Sequence, residues 1–147
     1  MLDIDFMPVL AYAYLMDIDK PEIIKIDPAE EKEVIWWPQS LTDEIKNDWP
    51  QAMKKEGGFQ LGRVQQGLDP NNYRPMPSIG AGVKEIKLQD DDKSQYRLIY
   101  VAKFEEAIYV FHVITKKTSE TTSTRDITLA KKRLSEITEH RKKSKKQ

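Results

Sequence analysis

"YRPMPSIGAGVKEIKLQDDDKSQYRLIYVAKFEEAIYVFHVITKKTSETTSTRDI", Tyr73–Ile127, is the stretch whose reading decides the fold. Val83–Leu88, Gln95–Lys103 and Ile108–Thr115 are rich in β-branched and aromatic residues, which suit a pleated surface, and read as strands. Their connectors, "QDDDKS" and "FEEA", are short and polar, so the three strands form an antiparallel meander. Alternation in the first strand puts Lys84, Ile86 and Leu88 on one face and Val83, Glu85 and Lys87 on the other. The preceding "LDPNNYRPMPSIGAG" is full of Pro, Asn and Gly and reads as loop. Gly80–Gly82, "GAG", is too short for a nucleotide fingerprint and reads as a turn into the sheet.

Upstream, "EVIWW" (Glu33–Trp37) is a short strand candidate closed by Pro38. Ser40 is then placed to cap a helix Leu41–Asp48, with Asp43 and Glu44 in the turn where the helix dipole favours acids. Pro50 suits the first turn of a second helix running to about Gln66, although Gly57 and Gly58 weaken it, and Gly67 suits the position after its end. Downstream, a last helix begins near Thr124, taken as its N-cap. Ile127, Ala130, Leu134 and Ile137 form its apolar stripe. The result is an α+β fold: a small twisted, mainly antiparallel sheet with two N-terminal helices and a C-terminal helix, the helices expected on one face.

At 147 residues, with 39% hydrophobic and 33% charged, the chain is sized for one globular domain. The three segments expected are an acidic extension over residues 1–31, a compact domain over 32–140 and a basic tail over 141–147. The apolar run Phe6–Met16 is too short to span a bilayer and follows Asp3 and Asp5 rather than a basic flank, so neither a membrane span nor a secretory signal is expected. Pro21 and Pro28 break the extension, leaving "PEIIKID" as a short edge-strand candidate. With no cysteine there is no disulfide framework or thiolate chemistry, a composition suited to the cytoplasm, and two histidines make a structural zinc site a poor expectation. Motifs for phosphate-loop nucleotide binding, zinc proteolysis, serine hydrolysis and EF-hand calcium are absent from the sequence.

Net charge is zero but unevenly spread. Residues 1–50 carry four lysines against twelve carboxylates, and residues 116–147 carry eleven Lys and Arg against four. A basic end suits a polyanion partner, and equally a solvated helix with a lysine tail. Arg97 lies inside the apolar run "YRLIYV", which is costly unless the guanidinium is paired or faces a wet groove. Pairing with Glu85 is one reading, and a two-pronged grip on phosphate is the other. Lys87, Arg97 and the pair Lys116 and Lys117 put a cation on each of three consecutive strands. His112 reads as a core or cross-strand histidine, Trp36 and Trp37 as core, and Tyr96 and Tyr100 as packing.

Taken together, "RVQQG" (Arg63–Gly67), "MPSIGAGVKEIK" (Met76–Lys87), "YRLIYVAKF" (Tyr96–Phe104), "FHVITKKT" (Phe111–Thr118) and "RDITLAKKR" (Arg125–Arg133) resemble the HigB-like, phage-derived branch of the RelE/ParE toxin superfamily. The resemblance covers about Val34–Ile137. It implies a RelE-like fold and a toxin of a type II toxin–antitoxin system: a metal-independent endoribonuclease, with no cofactor, cutting mRNA on the ribosome and so inhibiting translation. The cognate antitoxin, a small helix-turn-helix protein, and mRNA would be its partners, in the cytoplasm and away from membranes. The alternatives are a gyrase inhibitor of the ParE type and a degenerate module that only binds antitoxin. Carried over residue by residue, the catalytic set is Lys87, Arg97 and Lys117, with Glu85 as an alternative base. Lys84, Lys116 and Arg125 are expected to bind RNA. Two departures stand out: no Tyr follows Tyr109, where RelE has one near its C-terminus, and the acidic residues 1–31 are extra to the family pattern.

Overall fold

The computed structural model describes residues 31–117 and 121–145. The expectations for the acidic extension up to residue 30, including its edge strand, and for Lys146 and Gln147 fall outside the described residues. Five strands, β1 (Val34–Trp36), β2 (Tyr73–Pro75), β3 (Val83–Gln89), β4 (Gln95–Val101) and β5 (Ile108–Lys117), form one sheet in the order β1-β5-β4-β3-β2. β3, β4 and β5 are the expected antiparallel meander; β1 lies parallel to β5, with Val34 opposite Ile108. The helices are α1 (Leu41–Asp48), α2 (Gln51–Gln65) and α3 (Thr124–Lys145).

Local chemistry accounts for most boundaries. At the end of α2, Gly67 has φ +83, and the N–H groups of Gly67 and Leu68 bond to the carbonyls of Val64 (3.0 Å) and Arg63 (2.9 Å). That pattern closes a helix with its last carbonyls satisfied, and glycine is the residue that adopts it without strain. Two expected caps are corrected. Ser40 is itself in helical conformation and makes no side-chain cap, because the turn begins earlier, with the Leu41 N–H on the Pro38 carbonyl at 3.1 Å. Ser123, not Thr124, caps α3: its Oγ accepts from the Asp126 N–H at 3.1 Å and donates to the Asp126 carboxylate at 2.6 Å.

The loop expected at 68–82 contains a strand. β2 is three residues long and edge-lying, with Arg74 opposite Glu85. It ends at Pro75, tolerated there because an edge strand need not donate on both sides. The helices cover both faces of the sheet, not one. α1 and α2 pack Leu41, Met53, Leu61 and Val64 on Ile86, Leu98 and Val110. α3 packs Ala130 and Ile137 on Ile99, Val101, Tyr109 and Phe111. β4 therefore lies between two layers, and all seven of its residues are buried. Gly57 sits where α2 comes closest to the sheet; a Cβ there would meet Trp49 at 3.4 Å and Leu88 at 3.6 Å.

α3 is fastened at several points. The Trp37 indole donates to Glu136 at 3.3 Å and its ring lies 5.2 Å from that of His140. Arg141 stacks 3.7 Å from the Phe104 ring centre and donates to Glu106 at 2.5 Å. The expected basic tail thus begins as the last turn of a docked helix, which continues to Lys145.

Candidate functional site: a polar face of the sheet

Alternation along β3 and β4 sends Glu85, Lys87, Gln95 and Arg97 to the face that carries α3. Lys87 lies directly across from Arg97, Gln89 across from Gln95, and Gln95 across from Lys117. The adjoining row adds Arg74 opposite Glu85. The three strand cations of the expected catalytic set therefore share one end of one face.

Arg97 and Glu85 are both fully buried, at 0% exposure. The Arg97 guanidinium donates to Glu85 at 3.3 Å, to the Thr122 hydroxyl at 3.3 Å and to the Gln95 side chain. Arg74 donates from Nε to Glu85 Oε1 at 2.9 Å and from Nη2 to Thr122 Oγ1 at 2.7 Å. Thr122 in turn donates to Glu85 Oε2 at 3.0 Å. Both carboxylate oxygens are thus engaged, one by two guanidinium groups and the other by a hydroxyl. A buried ion pair offsets its desolvation only when such extra hydrogen bonds are made. Arg97 pairs with Glu85, the first of the two readings open for it, while Arg74, whose side chain is 35% exposed, carries positive charge from the network to the surface.

Lys116 and Lys117 end β5 at an irregularity of pairing. Arg97 faces Ile114 while Gln95 faces Lys117, and Lys116 takes φ +53 within the extra residue. Lys116 is exposed and Lys117 half-buried, as is Lys87. Arg125 is exposed in the first turn of α3. Lys84 stands apart: it lies on the opposite face, bonded to Asp69 at 2.8 Å and 5.1 Å from the Tyr73 ring centre. The hydrogen bond from Lys84 leads the groups that hold the Asp69 carboxyl below its usual range.

A second irregularity sets His112. Ile99 faces His112 but Tyr100 faces Val110, so Phe111 is an extra residue on β5, a bulge that re-aims the neighbouring side chain. His112 consequently meets α3. Its Nε2 lies 2.8 Å from Asp126, and its Nδ1 lies 2.9 Å from the Arg133 guanidinium. Arg133 has only donors, so Nδ1 accepts and the ring proton sits on Nε2, donating to Asp126. Burial works to raise the Asp126 carboxyl, but the hydrogen bonds from Ser123 and His112 outweigh it and leave Asp126 below its usual range. This second network ties the N-terminal turn of α3, and with it Thr122, to the sheet.

Arg74 and Thr122 were missed by the reading of the sequence. Arg74 lies in a strand of only three residues that ends in Pro75, and Thr122 in a run of Ser and Thr with no periodicity. The one available signal was Glu85: a buried carboxylate facing two candidate cations needs a second partner. Among the described residues no group of three or more His, Asp or Glu side chains is gathered as metal ligands, and no helix is long and apolar enough to cross a membrane.

Comparison with known families places the chain in a class of RelE/toxin-like proteins. Residues 43–135, more than half of the chain, match the family described as phage derived protein Gp49-like (DUF891), and the chain is a member of that family, which is associated with the toxins of toxin–antitoxin systems. That membership implies an antitoxin partner. No curated protein matches the chain, and no solved structure does.

Proposed function

We propose that the chain is the toxin of a type II toxin–antitoxin pair, of the HigB-like branch, and that it inhibits translation as a metal-independent endoribonuclease cutting mRNA on the ribosome. The observation that carries this reading is the meeting of Lys87, Arg97 and Lys117 on adjacent strands at one end of a single face, with Arg74 beside them. RNA supplies its own nucleophile. The 2′-oxygen attacks the adjacent phosphorus, the bond to the 5′-oxygen breaks, and a 2′,3′-cyclic phosphate and a free 5′-hydroxyl result. The protein has to take the 2′ proton, deliver one to the leaving oxygen and stabilise the dianionic phosphorane between them. Fixed cations aimed at the developing charge are the largest lever on such a step.

In this scheme Lys117 and Arg74 meet the phosphoryl oxygens, Arg74 by the planar fork suited to them. Arg97 supplies buried positive charge behind the site and locks Glu85, which acts as the anchor of the two arginines; with both oxygens engaged, it leaves the proton transfers to Lys87. Lys116 and Arg125 contact the RNA backbone from the rim. Lys84, on the far face, contributes least. The partner antitoxin is a small helix-turn-helix protein that blocks this face.

Primer extension on cellular mRNA after induction tests the reading. Discrete cuts that disappear in a folded Lys117→Ala variant are expected. Growth arrest with DNA damage and no cuts overturns the ribonuclease in favour of gyrase inhibition, and no arrest at all leaves an antitoxin-binding module.

A further inference from the structure

A cleft of about 890 Å³ opens on the other side of the sheet from the cationic site, between the C-terminal end of α2, the chain leading into β1, and the ends of β3 and β4. That volume lies within the range of sites that enclose small ligands, ~300–1,000 Å³. Three polar atoms buried at its walls have no hydrogen-bond partner among the described residues: Gln65 Oε1, Gln66 Nε2 and the Tyr100 hydroxyl. Gln65 and Tyr100 are 5% and 1% exposed, so neither atom turns out to bulk water. Buried polar groups are nearly always paired, and several orphans lining one cleft mark a place where something else supplies the partners.

The orphans include an acceptor, a donor and a hydroxyl that can do either. Backbone amides complement such a set, each bringing one N–H and one C=O. The rim indicates the charge. Glu31, Glu33, Asp69, Glu105 and Glu106 line the cleft, against Lys32, Lys84 and Lys103. Asp69 and Lys84 neutralise each other and Glu106 is paired with Arg141, which leaves Glu31, Glu33 and Glu105 against Lys32 and Lys103. An anionic ligand such as RNA is disfavoured there, and a cationic one is favoured. Leu68 adds apolar surface at the edge, 45% exposed.

We propose that this cleft is a second binding site, separate from the cationic face, that takes a short basic peptide segment of a partner protein in extended conformation. Gln65, Gln66 and Tyr100 bond its backbone, and the rim carboxylates face its lysine or arginine side chains. The site does not depend on the ribonuclease reading, since no residue of the catalytic set lines it.

The full-length protein, titrated with a capped Ala–Lys–Ala peptide and followed by amide NMR, tests this. Saturable shifts of the Gln65 and Gln66 side-chain amides are expected. The Tyr100→Phe variant should bind about fivefold more weakly, the loss of about one hydrogen bond, while its melting temperature stays the same or rises and its RNA cleavage is unchanged. Replacing the central lysine with glutamate should weaken binding about tenfold, from the rim charge. The proposal is overturned if the side-chain amides do not respond saturably. It is also overturned if the glutamate peptide binds equally well, or if Tyr100→Phe melts at a lower temperature, which would show that the hydroxyl already has a partner.

Discussion

β4 carries two chemistries at equal burial. Towards α1 and α2 it presents Tyr96, Leu98 and Tyr100; towards α3 it presents Gln95, Arg97, Ile99 and Val101. The first face is held by close packing, reinforced by the Trp49–Tyr96 edge contact at 5.2 Å and the chain of hydrogen bonds from Trp49 through Thr115 to Glu44. The second depends, at its open end, on charges that neutralise one another. Packing loses energy in proportion to the atoms removed. A buried ionic network loses most when one partner goes and the other stays. The two faces should therefore fail differently.

The largest effect is expected for Glu85→Ala, which leaves Arg97 buried without its carboxylate and should destabilise the protein by about 3–5 kcal/mol in denaturant unfolding. The double variant Glu85→Leu with Arg97→Met should regain most of that loss while remaining inactive on RNA. If the single variant is as stable as wild type, the network does not hold this face. On the opposite face, Leu98→Ala removes a side chain only 1% exposed and should cost about 3 kcal/mol, with no particular loss of RNA cleavage below its melting point. A specific loss of cleavage there would mean that the faces are coupled.

Lys117→Ala reverses that pattern. Lys117 is half-buried at the strand end, so stability should change by no more than about 0.5 kcal/mol. RNA cleavage should fall about 100-fold if Lys117 meets the developing phosphorane charge. Full activity in a folded variant would remove it from the catalytic set.

The smallest effect sharpens the anchor of α3. Arg141 leads the groups that hold the Glu106 carboxyl down at about 2 from the ordinary 4.5. A carboxylate lowered in the folded state adds stability that is complete above pH 4.5 and is lost as the pH falls from there towards 2. Both side chains are partly exposed, so the contribution to folding is slight. Arg141→Ala should bring the Glu106 titration, read by NMR, back towards 4.5, with little change in melting temperature. If the midpoint stays near 2, bonds from Tyr109 and the local backbone hold it instead.

Much of this was legible in the sequence. The meander, the helix Leu41–Asp48, the glycine end of α2 and the apolar stripe of α3 rest on residues within a few positions of each other, where period and turn chemistry operate. The faces of β3 followed from alternation, so Glu85 and Lys87 were assigned together correctly and Ile86 and Leu88 opposite them. Alternation did not reveal the bulge at Phe111, an extra residue that no local signal announces, although His112 is buried as expected. It also could not tell whether the uninterrupted burial of β4 meant one helix layer or two.

What the sequence by itself determined is the set of elements and which side chains each strand turns the same way, because both come from short-range propensity and the twofold period of the pleat. What only the tertiary structure decided is which distant groups meet. β1 lies parallel beside β5, Arg74 arrives across from Glu85, and Thr122 reaches Glu85 over 37 positions and accepts from Arg74 over 48. The fate of Arg97 depended on those meetings. A guanidinium in an apolar strand must be neutralised or solvated, and which of the two happens depends on partners that enter from the edge strand and the lead-in to α3, whose approach is governed by packing of the whole chain.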